Sequence, residues 1–279
     1  MKRTIHLALV LAAAVLLTSQ VAPAGLIDFN SGTLDDAFDL TNNDNWSQQG
    51  SGGLNNSGSL LPANEPYAYL VADTQSFTGA SISFELSAFF QWDTPSNASG
   101  ANSLVLALVP TTTGPLDLAT NSGDPAEDAL RVQLKKESSD PDPTDEVSLV
   151  IENQVNGVLA DAADRVLSSV VSLTDENWYR LSMSVTRTGS NFNVEASLDN
   201  ADSTGSVGSN VLSLDLINRP NADLASDADL YAAIGGQRPP ARGVAIIDDF
   251  SASAVIPEPA SMALLGMAVT GLLLTRRKS

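Results

Sequence analysis

The chain has no cysteine and a single histidine, His6, which lies in an N-terminal apolar run. The first absence excludes disulfides, so an exported domain of this sequence is held by core burial alone. The N-terminal run reads as a signal peptide, so the mature chain has neither residue, which excludes Ser-His-Asp and Cys-His catalysis, imidazole- or thiolate-ligated zinc, and a proton shuttle at neutral pH. Positive charge is also scarce, with 14 Lys and Arg against 33 Asp and Glu. Five of those cations sit at the extremities: Lys2, Arg3, Arg276, Arg277 and Lys278. Setting them and Glu258 aside leaves nine cations and 32 acids between Gly25 and Val255, a net charge of −23. Such a surface repels phosphate backbones, which excludes nucleic acid as a partner. It also keeps an exported domain soluble.

Long apolar runs occur only at the two ends. Lys2 and Arg3 precede a stretch from Ile5 to Leu17 that is apolar apart from His6, and Ala22-Pro23-Ala24 closes it with a small-x-small pattern. This is the layout of a secretory signal peptide over 1–24, cut by signal peptidase before Gly25. An uncleaved anchor is the alternative, but 13 apolar residues are short for a span. At the other end Ala260 to Thr275 gives 16 uncharged residues. As a helix it would be about 24 Å long, a marginal transmembrane span. Arg276, Arg277 and Lys278 follow it and belong on the cytoplasmic side.

Pro257-Glu258-Pro259, a short apolar run and a basic terminus resemble, in that order, the PEP-CTERM sorting signal of bacterial surface proteins. The resemblance implies recognition and processing of the tail by an exosortase, a membrane cysteine protease, during transient anchoring in the inner membrane. It also implies delivery to the cell surface or matrix in bacteria that make exopolysaccharide. A plain C-terminal anchor with a stiff Pro-Glu-Pro linker is the alternative.

Between the ends, period-two alternation dominates. Ile82, Phe84 and Leu86 share one face against Ser81, Ser83, Glu85 and Ser87. Leu130, Val132 and Leu134 alternate with Arg131, Gln133 and Lys135. Val147, Leu149 and Ile151 alternate with Ser148, Val150 and Glu152. Leu181, Met183 and Val185, and then Phe192, Val194, Ala196 and Leu198, continue the pattern. Each is expected to be a strand with one buried and one wet face. Tyr179–Arg187 and Asn191–Leu198 form the clearest hairpin, around Thr188-Gly189-Ser190-Asn191. The best candidate for a short helix is Asp161 to Val170. Many strands separated by polar turns predict an all-β fold, a single antiparallel β-sandwich of jelly-roll type over 25–253. Residues 254–279 form the sorting signal, and Ser251 to Pro259 is the expected linker.

Asn177-Trp178-Tyr179-Arg180-Leu181, the Thr-Gly-Ser hairpin, Tyr231-Ala232-Ala233-Ile234-Gly235 and Ile247-Asp248-Asp249-Phe250 resemble laminin-G-like, concanavalin-A-like jelly rolls. That resemblance implies pairing of the first and last strands, bringing Ile27-Asp28-Phe29 beside Ile247-Asp248-Asp249-Phe250. Asp28 with Asp248 or Asp249 is then a candidate calcium site, since calcium takes carboxylate, carbonyl and water oxygens. The alternative is that an aspartate there holds turn backbone. In a regular strand Asp248 and Asp249 point to opposite faces.

Trp46 and Trp92, each beside polar loop residues, are candidates for glycan contact, whereas Trp178 reads as packing. The acidic run Asp140 to Glu146 lacks the glycine and the spacing of an EF-hand and reads as a solvated turn. The Glu-x-Asp-x-Glu pattern of retaining β-glucanases is absent, and Glu85, Glu152 and Glu195 stand singly on faces expected to be wet. The expectation is a non-catalytic, exopolysaccharide-associated surface or matrix protein. A calcium-assisted, lectin-like glycan-binding module is the second reading and a glycoside hydrolase the third.

Overall fold

Alternating apolar residues force the chain into strands that can cover one another only by stacking two sheets. The computed structural model describes residues 20–21, 25–30, 33–38, 46–63, 68–78, 82–96, 101–110, 128–137, 145–156, 158–159, 161–227 and 229–256. In chain order the strands are β1 (Gln20–Val21), β2 (Gly25–Ile27), β3 (Ser47–Gln49), β4 (Ser59–Leu61), β5 (Ala68–Thr78), β6 (Ser83–Trp92), β7 (Ala101–Val109) and β8 (Ala129–Lys136). They continue as β9 (Glu146–Gln154), β10 (Arg165–Leu167), β11 (Val171–Ser172), β12 (Trp178–Thr188), β13 (Asn191–Ala201), β14 (Val207–Pro220), β15 (Asp229–Gly236) and β16 (Val244–Ile256). One short helix, α1 (Ala222–Ser226), is capped by the Asn221 side chain, which accepts from the Leu224 amide.

The strands form two antiparallel sheets. The nine-stranded sheet runs β14-β13-β12-β6-β16-β4-β3, with β1 and β2 also on β16, and the seven-stranded sheet runs β10-β9-β8-β7-β15-β5, with β11 on β9. A single apolar core fills the space between them, from Phe84, Leu86, Phe90, Met183, Phe192 and Phe250 on one side to Leu106, Val132, Leu149 and Ile234 on the other. The hairpin of β12 and β13 pairs throughout, Thr188 opposite Asn191, with Gly189 at φ +64° in the two-residue turn. Glycine at the first turn position matches the twist of the flanking strands.

Three expectations need correction. Asp161 to Val170 is not a helix: a three-residue 3-10 turn, Ala162–Asp164, leads straight into β10. Asp161 accepts from the Ala163 amide and Asp164 from the Asp161 amide, so the acids cap one turn, after which Val166 pairs with Ile151. The linker expected from Ser251 is not a linker up to Ile256, because β16 pairs with β6 as far as Val255 opposite Ser83. The third concerns the seven-stranded sheet, which is buried on both faces. Arg131, Gln133, Ser148, Val150 and Glu152, expected to be wet, are all buried. Glu85 and Glu195 are exposed, as alternation required.

Among the described residues no helix is long and apolar enough to cross a membrane. The leader expected over 1–24, apart from Gln20 and Val21, and the tail 257–279 lie outside the described residues. That includes the sorting motif Pro257, Glu258, Pro259 and the basic Arg276, Arg277 and Lys278.

Candidate functional site

The first and last strands do meet. β2 pairs with β16 so that Ile27 lies opposite Phe250 and Gly25 opposite Ala252. The three aspartates consequently share one end of the nine-stranded sheet. β16 is irregular there: its register with β6 shifts between Asp248 and Ser251, and Asp249 takes a left-handed φ of +47°. Two residues thus occupy the space of one, and Ile247 and Phe250 both reach the core although they are three apart. This is the effect of a β-bulge.

Asp248 is fully buried and its carboxylate is already engaged. Oδ2 accepts from the Leu54 amide at 2.8 Å and from the Ser57 hydroxyl at 2.8 Å, while Oδ1 accepts from the Asp249 amide at 2.8 Å. The side chain thereby pins the turn Gly53–Gly58 to the last strand. Burial pushes its carboxyl above the ordinary value, against those hydrogen bonds. Asp249 is pushed up as well, by burial first and then by the charges of Asp248 and Asp28. Asp28 is held low by hydrogen bonds from Asn30, whose amide donates to Oδ1 at 3.1 Å. The sequence therefore located this cluster correctly, but Asp248 serves the neighbouring backbone rather than an open site. Among the described residues no group of three acids is arranged to hold a metal ion.

The raised carboxyls have a measurable consequence. A folded carboxyl titrating above its unfolded value binds extra protons in the native state, so stability falls as pH rises through the window above the unfolded value, near 3.8. Asp249→Asn removes one half-buried charge and its repulsion by two neighbours, and asparagine tolerates the left-handed backbone. The expected outcome is a melting temperature higher by roughly 1–3 °C at pH 7, with the gain shrinking towards pH 3.5. Thermal melts at several pH values measure it, and a gain that does not depend on pH would refute the electrostatic cause.

Neither candidate tryptophan offers a face to solvent. Trp92 is 0% exposed and Trp46 5%. The Gly243 backbone lies so close over the Trp92 ring that a Cβ at that position would stand 2.5 Å from it. Trp92 Nε1 donates to Asp145 Oδ1 at 3.0 Å, which gives one member of the acidic run a structural task. Both rings are core residues, so the glycan platform expected of them is not formed. The sandwich encloses large aromatics because they fill its thickness. Trp178 is packed as expected, at 6% exposure.

The arrangement that alternation missed lies on the outer face of the seven-stranded sheet. Adjacent strands set Arg131 opposite Glu152, and Glu152 opposite Arg165. Glu152 Oε2 accepts from Arg131 Nε at 2.7 Å and from Gln133 Nε2 at 2.8 Å, and Oε1 pairs with Arg165. On the opposite face of β9, Asp164 accepts from Arg219 Nε at 2.8 Å and from Asn153 Nδ2 at 3.1 Å. The hydrogen bonds to Arg219 and Asn153 hold the Asp164 carboxyl below its ordinary value despite burial. The opposite charges of Arg131, Glu152 and Arg165 were the one available signal, and only the register of the sheet shows that they pair. The first group joins β8, β9 and β10 on the outer face, and the second ties β9 and the turn Ala162–Asp164 to β14; in both, the buried carboxylate is hydrogen-bonded by neighbouring strands, which is a structural role.

Residues 255–278 match the PEP-CTERM protein-sorting motif. A search of curated proteins gives no match. Among solved structures the chain is similar to peanut lectin with a nine-residue peptide, at 15% identity over 85% of this chain and 100% of that one, with a TM-score of 0.48. Basic winged bean lectin with Tn-antigen gives 14% identity over 84% and 100%, at 0.48. Lectin II from Ulex europaeus gives 12% over 84% and 99%, at 0.47. These are likenesses of fold; the ligands named belong to those lectins.

Proposed function

We propose that this chain is an exported bacterial surface or matrix protein, sorted through its PEP-CTERM signal, whose β-sandwich acts by association with exopolysaccharide and not by catalysis. One observation carries the reading: the sorting motif at 255–278 begins in the last strand of a two-sheet domain. The motif implies export and handling by an exosortase, with passage through the inner membrane. Removal of 1–24 by signal peptidase fits the leader. The absence of cysteine, and of histidine after His6, supports a non-catalytic role, because the commonest nucleophile and base chemistries lack their side chains.

The test uses producing cells that carry the sorting machinery. Wild-type protein is expected at the surface or in the matrix without Arg276–Lys278, co-sedimenting with the exopolysaccharide and releasing no reducing ends from it. A chain carrying Pro257→Ala, Glu258→Ala and Pro259→Ala together is expected to stay in the membrane fraction at full length. Equal distribution of the two chains would overturn the sorting reading. Release of reducing ends would replace it with a glycosidase, and glycan-array binding abolished by EDTA with a calcium-assisted lectin.

A further inference from the structure

β14 is the last strand of the nine-stranded sheet. It pairs with β13 along one edge, and among the described residues no strand lies along the other. Over its 14 residues the only charges are Asp215 and Arg219, in a chain with 33 acids. Ile217 is 69% exposed, the most of any large apolar side chain among the described residues. A free row of amides and carbonyls invites another strand, so natural edges are blunted with lysine, proline or brevity. None of these protects the stretch from Asn210 to Asn218. Its regular part is Leu212–Leu216, where Leu212 lies opposite Leu198 and Leu216 opposite Val194; the register with β13 shifts on either side. The Asn210 side chain donates to the Leu212 carbonyl and the Asn218 amide to Asn193 Oδ1, at 3.0 and 2.6 Å, so both ends of the run are held in place.

This edge reads the same in both directions by residue type. Asn210-Val211-Leu212-Ser213-Leu214-Asp215-Leu216-Ile217-Asn218 is symmetric about Leu214: asparagine answers asparagine, valine answers isoleucine, leucine answers leucine, and serine answers aspartate. We infer that β14 pairs with the β14 of a second copy of this chain, antiparallel about Leu214, joining two nine-stranded sheets into one. The inference concerns assembly and does not depend on the polysaccharide reading above. In this register Leu212 meets the partner's Leu216. Ser213 meets the partner's Asp215 on the wet face, a hydroxyl donor against a carboxylate acceptor. Ile217 meets the partner's Val211. The symmetry singles out a second copy over an unrelated strand, which has no reason to carry the reversed pattern. The other sheet opens on the same flank: Arg219 of β14 donates to Asp164 at 2.8 Å just ahead of β10, where Leu167 is exposed. Because each copy offers the same patch, the contact is isologous and closes at two. Both copies are strongly acidic, so association works against repulsion and tightens as salt screens it.

Sedimentation equilibrium of the full chain in detergent micelles is the first test. The expected result is a dimer that tightens between about 50 mM and about 500 mM NaCl. Ile217→Glu is expected to weaken it roughly tenfold and to leave the thermal melt unchanged. A monomer at both salt concentrations, or a variant that dimerises as wild type does, overturns the inference. The second test reads the register, and the absence of cysteine leaves no competing thiol. Ser213→Cys and Asp215→Cys, both at exposed positions, are made as separate chains, mixed, left to exchange and oxidised. The mixture is expected to give a disulfide-linked dimer. Neither chain alone is expected to, because like positions stand about 8 Å apart, beyond the reach of a disulfide. No linkage in the mixture, or self-linkage of either chain as fast as the mixture, overturns the inference. A dimer held by the apolar tail would ignore Ile217→Glu and leave the mixture unlinked, and so counts against it.

Discussion

Glu152→Ala lowers the melting temperature by roughly 6–20 °C. The substitution removes the carboxylate that accepts from Arg131 and Gln133 and pairs with Arg165. Arg131 and Glu152 are both at zero side-chain exposure, so solvent cannot replace the lost partner at the guanidinium. Breaking a buried pair from one side costs about 3–5 kcal/mol, because the remaining charge is left in a medium that solvates it poorly. In a domain of this size each kcal/mol shifts the melting temperature by about 2–4 °C. Replacing both members with apolar residues, Arg131→Met with Glu152→Leu, removes the charge as well as its partner. The double variant is expected to lose clearly less than Glu152→Ala alone. Arg165, partly exposed, can turn to water in either case. Differential scanning calorimetry of the three chains decides the matter. A Glu152→Ala protein that melts within a degree or two of wild type would mean the network contributes nothing to stability.

Gly58→Ala is the second large effect. A Cβ there would stand 1.9 Å from the Phe29 carbonyl oxygen, 2.5 Å from its carbon and 3.0 Å from Asn30 Cα. All three are backbone atoms, so no side chain can swing away. The close approach is what lets the Gly58 amide donate to Asn30 Oδ1 at 2.7 Å and the turn dock under β2. Forcing the segments apart costs at the upper end of about 1–3 kcal/mol, since overpacking against backbone has no cheap relaxation. The loss should also disturb Asp248, whose hydrogen bonds hold the same turn. Gly50→Ala, eight residues earlier, is the control: nothing lies within 4 Å of its Cβ position. Equilibrium urea unfolding of the two variants should separate them by about 2–3 kcal/mol. Equal stabilities would show that the turn can move away from β2 without loss.

How far the fold could be read from the chain differs between the two sheets, for a physical reason. β12 and β13 have one core face and one wet face, so Leu181, Met183 and Val185 alternate cleanly with polar residues, and the hairpin was legible to within three residues at each strand end. β8 and β9 are covered on both faces. Arg131, Gln133 and Glu152 look like solvent residues in the sequence because their charge is cancelled only by neighbours on other strands, which no local pattern displays. The same limit applies to Trp92. A tryptophan at a strand end beside a polar loop is consistent with exposure or burial, and only the approach of Gly243, 151 positions later, decides it.

The aspartate cluster falls between these cases. Pairing of the first and last strands placed Asp28 near Asp248 and Asp249, and the structure bears that out. The Asp248 carboxylate, however, is engaged by protein donors. A bulge at Asp249 breaks the alternation on which the facing argument relied, and a turn nearly two hundred residues earlier occupies the Asp248 carboxylate.

Residue types and their order along the chain determined this protein's class and its address. Cysteine is absent and the one histidine, His6, lies in the expected leader, while period-two patterning leads to a sandwich that runs into a C-terminal sorting motif. Those properties depend on composition and on neighbours within a few positions, so they survive without knowledge of the fold. Which acids are buried, which turn each carboxylate holds, and how close the last strand runs to Pro257 were decided only when distant segments came into contact. Burial, close approach and strand register are relations between residues far apart in the chain, and the energies that settle them exist only in the assembled sheets.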